Sequence, residues 1–497
     1  MHILKPVNSG GHAAYQNHVL TLMREYYPDP DSLSASTWTI IDQFWNLDLS
    51  KTDMLLADRY SVFGPPLRLP SNMLRSILLA LKFKIPRFTD WSAQLKINPL
   101  FALLSGFSPG DTPGVGTFYD FYRRLWLSDS GNLSSAVHPP KKKVKKPSGN
   151  GVKAAPVENI TVEDLLKSLE LNPPSDTKPY GRLFEIFKSS FLDASVEKGL
   201  LNPDALSLSG DGTPVVTSAR DRTKRTCNCR KNGITDCACS RHYSQPDCDI
   251  GWDSSRSCFY YGYDLYMMTA SDSKSDLPVF PLLNPASMHD SHGFLYNWFA
   301  MKAFLPDLHV SKVLLDSAHD AMPLYEYFNR NGITPFIDLN EKRGIKVKYK
   351  DDFTIGKDGV PVCLAGRKMR HDGSEPKKHR LKFRCPLMNR SSGQCYCSYK
   401  CSDSKHGRTV HLQMKDNPRL FNIPPRDSEE WKKEYNTRTS SERCNKREKI
   451  DYLLENGRHR SSRNWYCRLY GIMMCQHLDA WDLPCESELR SLLKQAA

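Results

Sequence analysis

Near the C-terminal end of the chain, Tyr435, Arg438, Glu442 and Lys449 stand at offsets of three, seven and fourteen from the first. A helical residue advances about 100°, so these offsets return to within roughly 60° of one another. A helix through YNTRTSSERCNKREK therefore presents one carboxylate among two cations and a phenol, and the following EKIDYLLENG, closed by glycine, extends the prediction. Most such patterns are solvated helix faces laced with ion pairs. A chemical role for Glu442 requires further carboxylates.

Two candidates lie upstream. Asp211 follows LSLSG and precedes Gly212 and Thr213, which reads as a strand end where the backbone turns away and exposes the carboxylate. Asp316 ends the apolar run VLL ahead of a helix, where open α/β sheets place their ligands. Each alone reads as a turn former or helix cap. Asp320, four residues beyond Asp316, is an alternative second carboxylate, and His319 reads as a surface or packing residue. Three ionised carboxylates suit Mg2+, a hard cation that prefers oxygen ligands. Paired ions of this kind activate a water or a 3′-hydroxyl and stabilise the leaving oxygen of a phosphodiester. In that reading Arg438 grips a DNA phosphate bidentately, Lys449 acts as a point charge, and Tyr435 hydrogen-bonds the same backbone.

The set Y-x2-R-x3-E-x6-K, filled by Tyr435, Arg438, Glu442 and Lys449, resembles the signature around the third acidic residue in a large group of bacterial insertion-sequence DDE transposases. GDGTPV around Asp211 and LLDSAHDAMPLYEYFNRNGITPFI around Asp316 are similar to the segments holding their first two aspartates. RLFNIPPRDSEEWKKEYNTRTSSER and QHLDAWDLP add to the likeness, which covers most of residues 200 to 485 and, more loosely, the N-terminal part. The resemblance implies an RNase H-like core, Mg2+ or Mn2+ at Asp211, Asp316 and Glu442, cleavage at element ends, and joining of the freed 3′-hydroxyl to target DNA. Partners would be double-stranded DNA, as element ends and target, and a second copy of the chain in a dimer or larger synaptic complex. The residues alone reach only a metal-dependent strand-transfer enzyme or nuclease. The alternatives are an RNase H-like nuclease that never joins, and a zinc-stabilised DNA-binding protein without catalysis.

The elements that must position these groups make an α/β fold. Residues 1–128 read as a helical domain suited to recognising DNA ends, and 129–175 as a flexible basic linker whose PKKKVKK run looks like an import signal but is commoner as plain linker. The stretch 176–340 reads as the first part of the core, with LSLSGDGTPVV, CFYYGYDLYMMTA, LPVFPLL, VSKVLL and ITPFIDL as strands and AMPLYEYFNRNG as a helix. A basic Cys-rich loop spans 217–257, a basic Cys-bearing insertion 341–430, and 431–497 carries the third carboxylate and closing helices.

The net charge of +14 in 497 residues, with pI near 9.0, favours a polyanionic partner. No run approaches a membrane span and no export signal opens the chain, so the expectation is a cytoplasmic protein acting on DNA. Fifteen cysteines, an odd number, read as reduced thiols or metal ligands. Cys227, Cys229, Cys237 and Cys239 form one candidate Zn2+ set; Cys385, Cys395, Cys397 and Cys401 form another, with Cys363 and His406 as possible additions. Arg222, Lys224 and Arg225 beside the first set are candidate backbone contacts for DNA. Trp252, Tyr260 and Tyr261 read as core residues of a β-prone stretch.

Overall fold

The computed structural model describes residues 10–61, 67–140, 160–219, 223–340, 353–389, 391–399, 401–457, 459–484 and 486–495. Arg222 and the lysine run 141–146 lie outside them. The chain is mixed α/β, and none of its described helices is long and apolar enough to cross a membrane.

The described chain opens with α1 (Gly11–Tyr26), α2 (Ala35–Trp45), α3 (Ser50–Leu55), α4 (Pro70–Lys82), α5 (Phe88–Ile97), α6 (Pro99–Leu104) and α7 (Val115–Leu125). Local chemistry sets their starts: Ser34 Oγ accepts from Thr37 N to cap α2, and prolines stand in the first turns of α4 and α6, where an N–H is dispensable. Next come β1 (Val137–His138), α8 (Val162–Leu171), α9 (Gly181–Phe187) and α10 (Asp193–Glu197). The span expected as linker thus contains β1 and α8, and α8 buries Leu165, Leu166 and Leu169. Leucines at helical spacing are what distinguish it from the lysine run before it.

The central sheet is built from β2 (Leu206–Val216), β5 (Asp249–Asp253), β6 (Cys258–Ala270), β7 (Pro278–Pro285), β8 (Val310–Leu315) and β9 (Thr334–Ile337), in the order β5-β6-β2-β8-β9 with β7 also paired to β6. Between β2 and β5 run β3 (Lys224–Arg225) and β4 (Arg241–His242), which form a small sheet with β1 in the order β1-β4-β3. The central strand β2 is antiparallel to β6 and parallel to β8. Helices α11 (Asp290–Phe304) and α12 (Met322–Arg330) supply the crossovers around β8. Strand β6 is buried along nearly its whole length, which is why its sequence is apolar without alternation.

The insertion contributes β10 (Phe353–Ile355), β11 (Pro361–Cys363), β12 (Arg370–Glu375), β13 (Arg380–Arg384) and β14 (Thr409–Gln413) around an apolar cluster of its own that includes Val360, Met369, Leu381, Phe383 and Phe421. The chain closes with α13 (Glu429–Asn436), α14 (Thr439–Lys446), α15 (Ser462–Ala480) and α16 (Glu488–Lys494). One continuous apolar cluster joins the N-terminal helices, the sheet and α15, from Tyr15 through Trp126 and Tyr266 to Tyr466 and Leu493. The helical front and the sheet therefore share a core. α15 is buried on nearly every side because it lies inside that core, and it buries Arg468, Gln476 and His477 along with its apolar residues.

A buried ion pair fastens the insertion to the sheet. Asp320, fully buried, accepts from Arg419 Nε at 2.7 Å and Nη2 at 2.6 Å, from Tyr325 Oη at 3.1 Å and from Asn340 N at 2.7 Å. Its oxygens are saturated, which removes Asp320 from the metal-ligand candidates and leaves Asp316. Removing one partner of a buried pair leaves an uncompensated charge. Arg419→Met is expected to lower unfolding free energy by about 3–5 kcal/mol in a urea titration, and a loss below about 1 kcal/mol would mean the pair does not hold the insertion.

Candidate active site

Strand pairing decides where the first two carboxylates meet. In the parallel β2–β8 register Ser209 stands opposite Leu314, which brings Asp211 level with Asp316. Asp211 lies in the middle of β2, not at its end as expected, because β2 continues to Val216 in register with β6. Asp316 sits just beyond β8 as expected and caps a short turn by accepting from Ala318 N at 3.1 Å. Helix α14 lies against β2, with Ser440 Oγ 2.7 Å from Ser209 Oγ and Asn445 Nδ2 donating to Asp211 Oδ2 at 3.1 Å. Glu442 sits on that helix with its side chain half exposed.

The expected single helix from Tyr435 to Gly457 is instead broken. α13 ends at Asn436, α14 begins at Thr439, a wider turn covers Arg447–Asp451, and residues 452–457 are not helical. The hydroxyls of Thr437, Thr439 and Ser441 bond Glu434 O, Asn436 O and Arg438 O. Such back-bonding competes with the helical ladder. Tyr435 stacks on Trp431 with centroids 4.7 Å apart, Arg438 Cζ lies 5.8 Å from the Tyr435 ring, and Arg438 Nη2 donates to Glu442 Oε1 at 2.6 Å. The structure thus brings Tyr435, Arg438 and Glu442 together. Lys449 is turned onto the sheet, donating to Pro214 O at 2.6 Å and lying 3.5 Å from Glu455.

Electrostatics ties these groups into one site. Burial, then the charge of Asp316, raises the Asp211 carboxyl to about 7, with Glu442 adding to the rise while Arg438 and His319 oppose it. Burial also pushes Asp316 upward, but the hydrogen bond and charge of His319, the Ala318 N–H and Arg438 together bring it below the usual carboxylate value. His319 is not at the surface: it is 1% exposed, with Nδ1 2.6 Å from Asp316 Oδ1 and Nε2 2.8 Å from Tyr266 Oη.

Two further carboxylates were not anticipated. Asp264 on β6 and Asp290 at the start of α11 flank Gly212, where a Cβ would meet Asp264 Oδ1 at 3.0 Å and Asp290 Oδ1 at 3.3 Å. Burial, followed by the charges of Asp290 and Asp211, pushes the Asp264 carboxyl well above its ordinary value. The available signal was one aspartate inside the otherwise apolar run FYYGYDLYMM.

Among the described residues, one group of three or more ligand side chains converges within 4.8 Å, and it is Cys227, Cys229, Cys237 and Cys239. These thiols could hold a structural metal such as Zn2+. Cys227 and Cys237 sulfurs are 3.6 Å apart, and Cys229 and Cys239 sulfurs 3.7 Å. A tetrahedral Zn2+ with bonds near 2.3 Å separates its sulfurs by about 3.8 Å. The hydrogen bond from Arg241 pulls the Cys237 thiol down to about 6, favouring the thiolate that a metal needs. Arg225 also serves this loop, donating to Thr235 O at 2.5 Å and to Cys237 Sγ at 3.5 Å, while Lys224 is exposed on β3. Cys385, Cys395, Cys397 and Cys401 do not converge in this way, and buried Cys363 packs in the apolar cluster of the insertion. Tyr260 is buried, but Trp252 is 54% exposed and meets exposed Phe259 edge-on at 4.8 Å, because β5 is the sheet edge.

No protein-family model matches the chain, and no curated protein matches it.

The raised Asp211 carboxyl fixes a sign. Because its folded value of about 7 exceeds the ordinary 3.8, its ionisation costs stability from about pH 4 up to pH 7, and the cost is constant above. Asp211→Asn is expected to raise the Tm by a few degrees at pH 8 in chelator and hardly at all at pH 4. A variant no more stable than wild type at pH 8 would show that this carboxylate is not under strain from its neighbours.

Proposed function

We propose that this protein is a DDE-type DNA transposase with an RNase H-like core, cutting strands at insertion-sequence ends and joining the freed 3′-hydroxyl to target DNA. The observation that carries the reading is the placement of Asp211 and Asp316 side by side on parallel neighbours, with Arg438, just before α14, coupled to both and Glu442, on α14, coupled to Asp211. The donor set suits a hard divalent cation: it is all carboxylate, and Asp211 lacks a cationic partner of its own. Asp211, Asp316 and Glu442 would hold Mg2+ or Mn2+. The triad oxygens do not all lie within 4.8 Å of one another, so Glu442 must leave Arg438 or more than one ion must be shared. When bound, such ions supply Lewis-acid stabilisation of the phosphorus and an activated hydroxyl.

The remaining work falls to the chain. His319 fixes Asp316 Oδ1 and leaves its second oxygen for a ligand, and Tyr266 fixes the imidazole from behind. Asn445 holds Asp211 Oδ2. Arg438, once Glu442 turns to a cation, has a guanidinium fork for a phosphate. The net charge of +14 attracts the DNA backbone, consistent with action on DNA in the cytoplasm by a dimer or larger synapse holding two ends.

Strand cleavage and joining on DNA carrying the gene's own flanking sequences, with Mg2+ or Mn2+, tests this. Wild type is expected to nick at the flanks and form joined product. Glu442→Gln, Asp211→Asn and Asp316→Asn are expected to bind DNA and do neither, and His319→Ala to lose roughly 10–100-fold in cleavage with weaker metal binding. Cleavage without joining would favour the nuclease, and binding without cleavage by wild type a non-catalytic DNA-binding protein.

The thiol geometry carries a second proposal, one structural Zn2+ per chain at Cys227, Cys229, Cys237 and Cys239. Elemental analysis of protein purified without added metal is expected to find it, and Cys229→Ser/Cys239→Ser to lose it and make the loop protease-sensitive. Metal-free protein with an equally resistant loop would exclude a structural metal there.

A further inference from the structure

Arg468 on α15 is 4% exposed, and among the described residues no carboxylate bonds to it or acts on it by charge. Nε donates to Leu454 O at 3.0 Å, and Nη2 to Tyr452 O at 3.2 Å and Leu453 O at 2.6 Å. Those carbonyls fix the plane of the guanidinium and leave Nη1 without an acceptor among the described residues. Nη1 is not sealed: unlike the orphaned Nε of Arg75, it keeps surface that water reaches. Burial lowers Arg468 to about 10, so it is still a cation at neutral pH. The buried Arg419, by contrast, is matched by Asp320. A buried cation without a counter-ion is costly unless something supplies negative charge.

Arg468 borders a cavity of about 370 Å³ between α4, α7 and the first turns of α15. Tyr122 on α7 borders it too and is 5% exposed. Its Oη has no partner among the described residues and, unlike the orphaned Oη of Tyr470, keeps surface that water reaches. Burial pushes Tyr122 up, so the hydroxyl keeps its proton and is a free donor. The charge of Arg468 acts on Tyr122 and that of Tyr122 on Arg468, which makes the two groups neighbours on one wall. The opposite character comes from Ile77 and Leu81 of α4, with Ile85 and Phe88 after it. No described acidic residue lines the cavity, and the other cation there, Arg87, is held by Asp90 at 2.7 Å. Burial and then Arg468 hold His459 down at about 3, so it adds no charge. A largely apolar concavity with a few convergent polar groups is the usual form of a small-ligand site. At ~30 Å³ per water the space equals about twelve waters, or one ligand of roughly ten non-hydrogen atoms.

We propose that this cavity binds a small monocarboxylate with an apolar body, its carboxylate accepting from Arg468 Nη1 and Tyr122 Oη and its hydrocarbon lying on Ile77, Leu81, Ile85 and Phe88. One negative charge matches the one unmatched cation, and two acceptor oxygens match two free donors. Inorganic phosphate brings more charge than Arg468 matches and nothing for the apolar walls to hold. The site shares no residue with the carboxylate cluster and does not depend on what that cluster does.

Calorimetric titration of the full chain with benzoate, hydrocinnamate and hexanoate tests it, with the matching alcohols and inorganic phosphate as counterparts that lack the charge or the apolar body. Saturable binding of one carboxylate per chain is expected for at least one of the three acids, with its alcohol and phosphate at least roughly tenfold weaker. Tyr122→Phe removes a hydroxyl that no described protein group uses, so the fold is kept, and it is expected to weaken the carboxylate roughly tenfold, as loss of one hydrogen bond to a charged acceptor should. Arg468→Gln is expected to abolish binding. Because Arg468 also holds three carbonyls, Tyr122→Phe decides the matter if Arg468→Gln does not fold. No saturable binding of any of the three acids, an alcohol or phosphate bound as tightly as the best acid, or binding unchanged in Tyr122→Phe would overturn the proposal.

Discussion

Several carboxylates crowd around one strand, β2, and the way each is satisfied sets the character of the site. Two unit charges 4 Å apart interact by about 4 kcal/mol at an effective dielectric of 20, whereas a neutral hydrogen bond returns about 1 kcal/mol net. Repulsion between neighbouring carboxylates therefore exceeds what a hydroxyl or amide can offset. Asp316 is met by His319 and Glu442 by Arg438, whereas among the described residues Asp211 is hydrogen-bonded only by the amide of Asn445. It is accordingly the carboxyl that holds its proton into the neutral range, and the one with most to gain from a cation.

The rest of the fold serves that crowding. A parallel neighbour on one side and an antiparallel one on the other leave Asp211 and Asp316 level, while α14 is pinned by the Ser209–Ser440 contact close enough for Glu442 to be felt by Asp211. The same turn separates two opposite fates for aspartate: Asp316 faces the site, and Asp320 is spent on Arg419 to bind the insertion to the sheet. Rigidity behind the site comes from that pair and from α15, whose burial on every side welds the helical front to the sheet.

Elements whose pattern depends on local burial were legible. The sequence runs taken as β2, β6, β8, α12 and β9 are those elements in the structure, and Asp316 could be placed because an apolar strand ends directly before it. What failed depended on partners far along the chain. Asp211 lies mid-strand because β6 keeps pairing past it, which no local glycine reveals. The helix through Glu442 breaks at hydroxyl residues that a 100° count ignores. His319 reads equally as a surface or a packing residue until Tyr266, 53 positions away, is seen to close on it. Trp252 belongs to a core only if another strand covers β5, and none does among the described residues. For the cysteines, clustering along the chain named two candidate sets with the first favoured, and only folding showed that the first converges.

Charge counted along the sequence overstates what is available to a polyanion. In the segment bearing Glu442, Arg438 is held by Glu442, Arg443 by Asp276, Arg447 by Ser275 O and Gln476, and Lys449 by Pro214 O. In the cysteine loop, Arg225 and Arg241 are committed to loop carbonyls and to Cys237. Exposed cations that carry no such duty, among them Lys224, Arg230, Lys231 and Lys446, would be the ones to meet a phosphate backbone first under the proposed function. Contact at these outlying positions adds counterion release and fixes register without reading sequence. Under the proposed function Arg438 would join only when Glu442 found another cation, so its grip on a phosphate would be coupled to metal arrival by the exchange of a single partner.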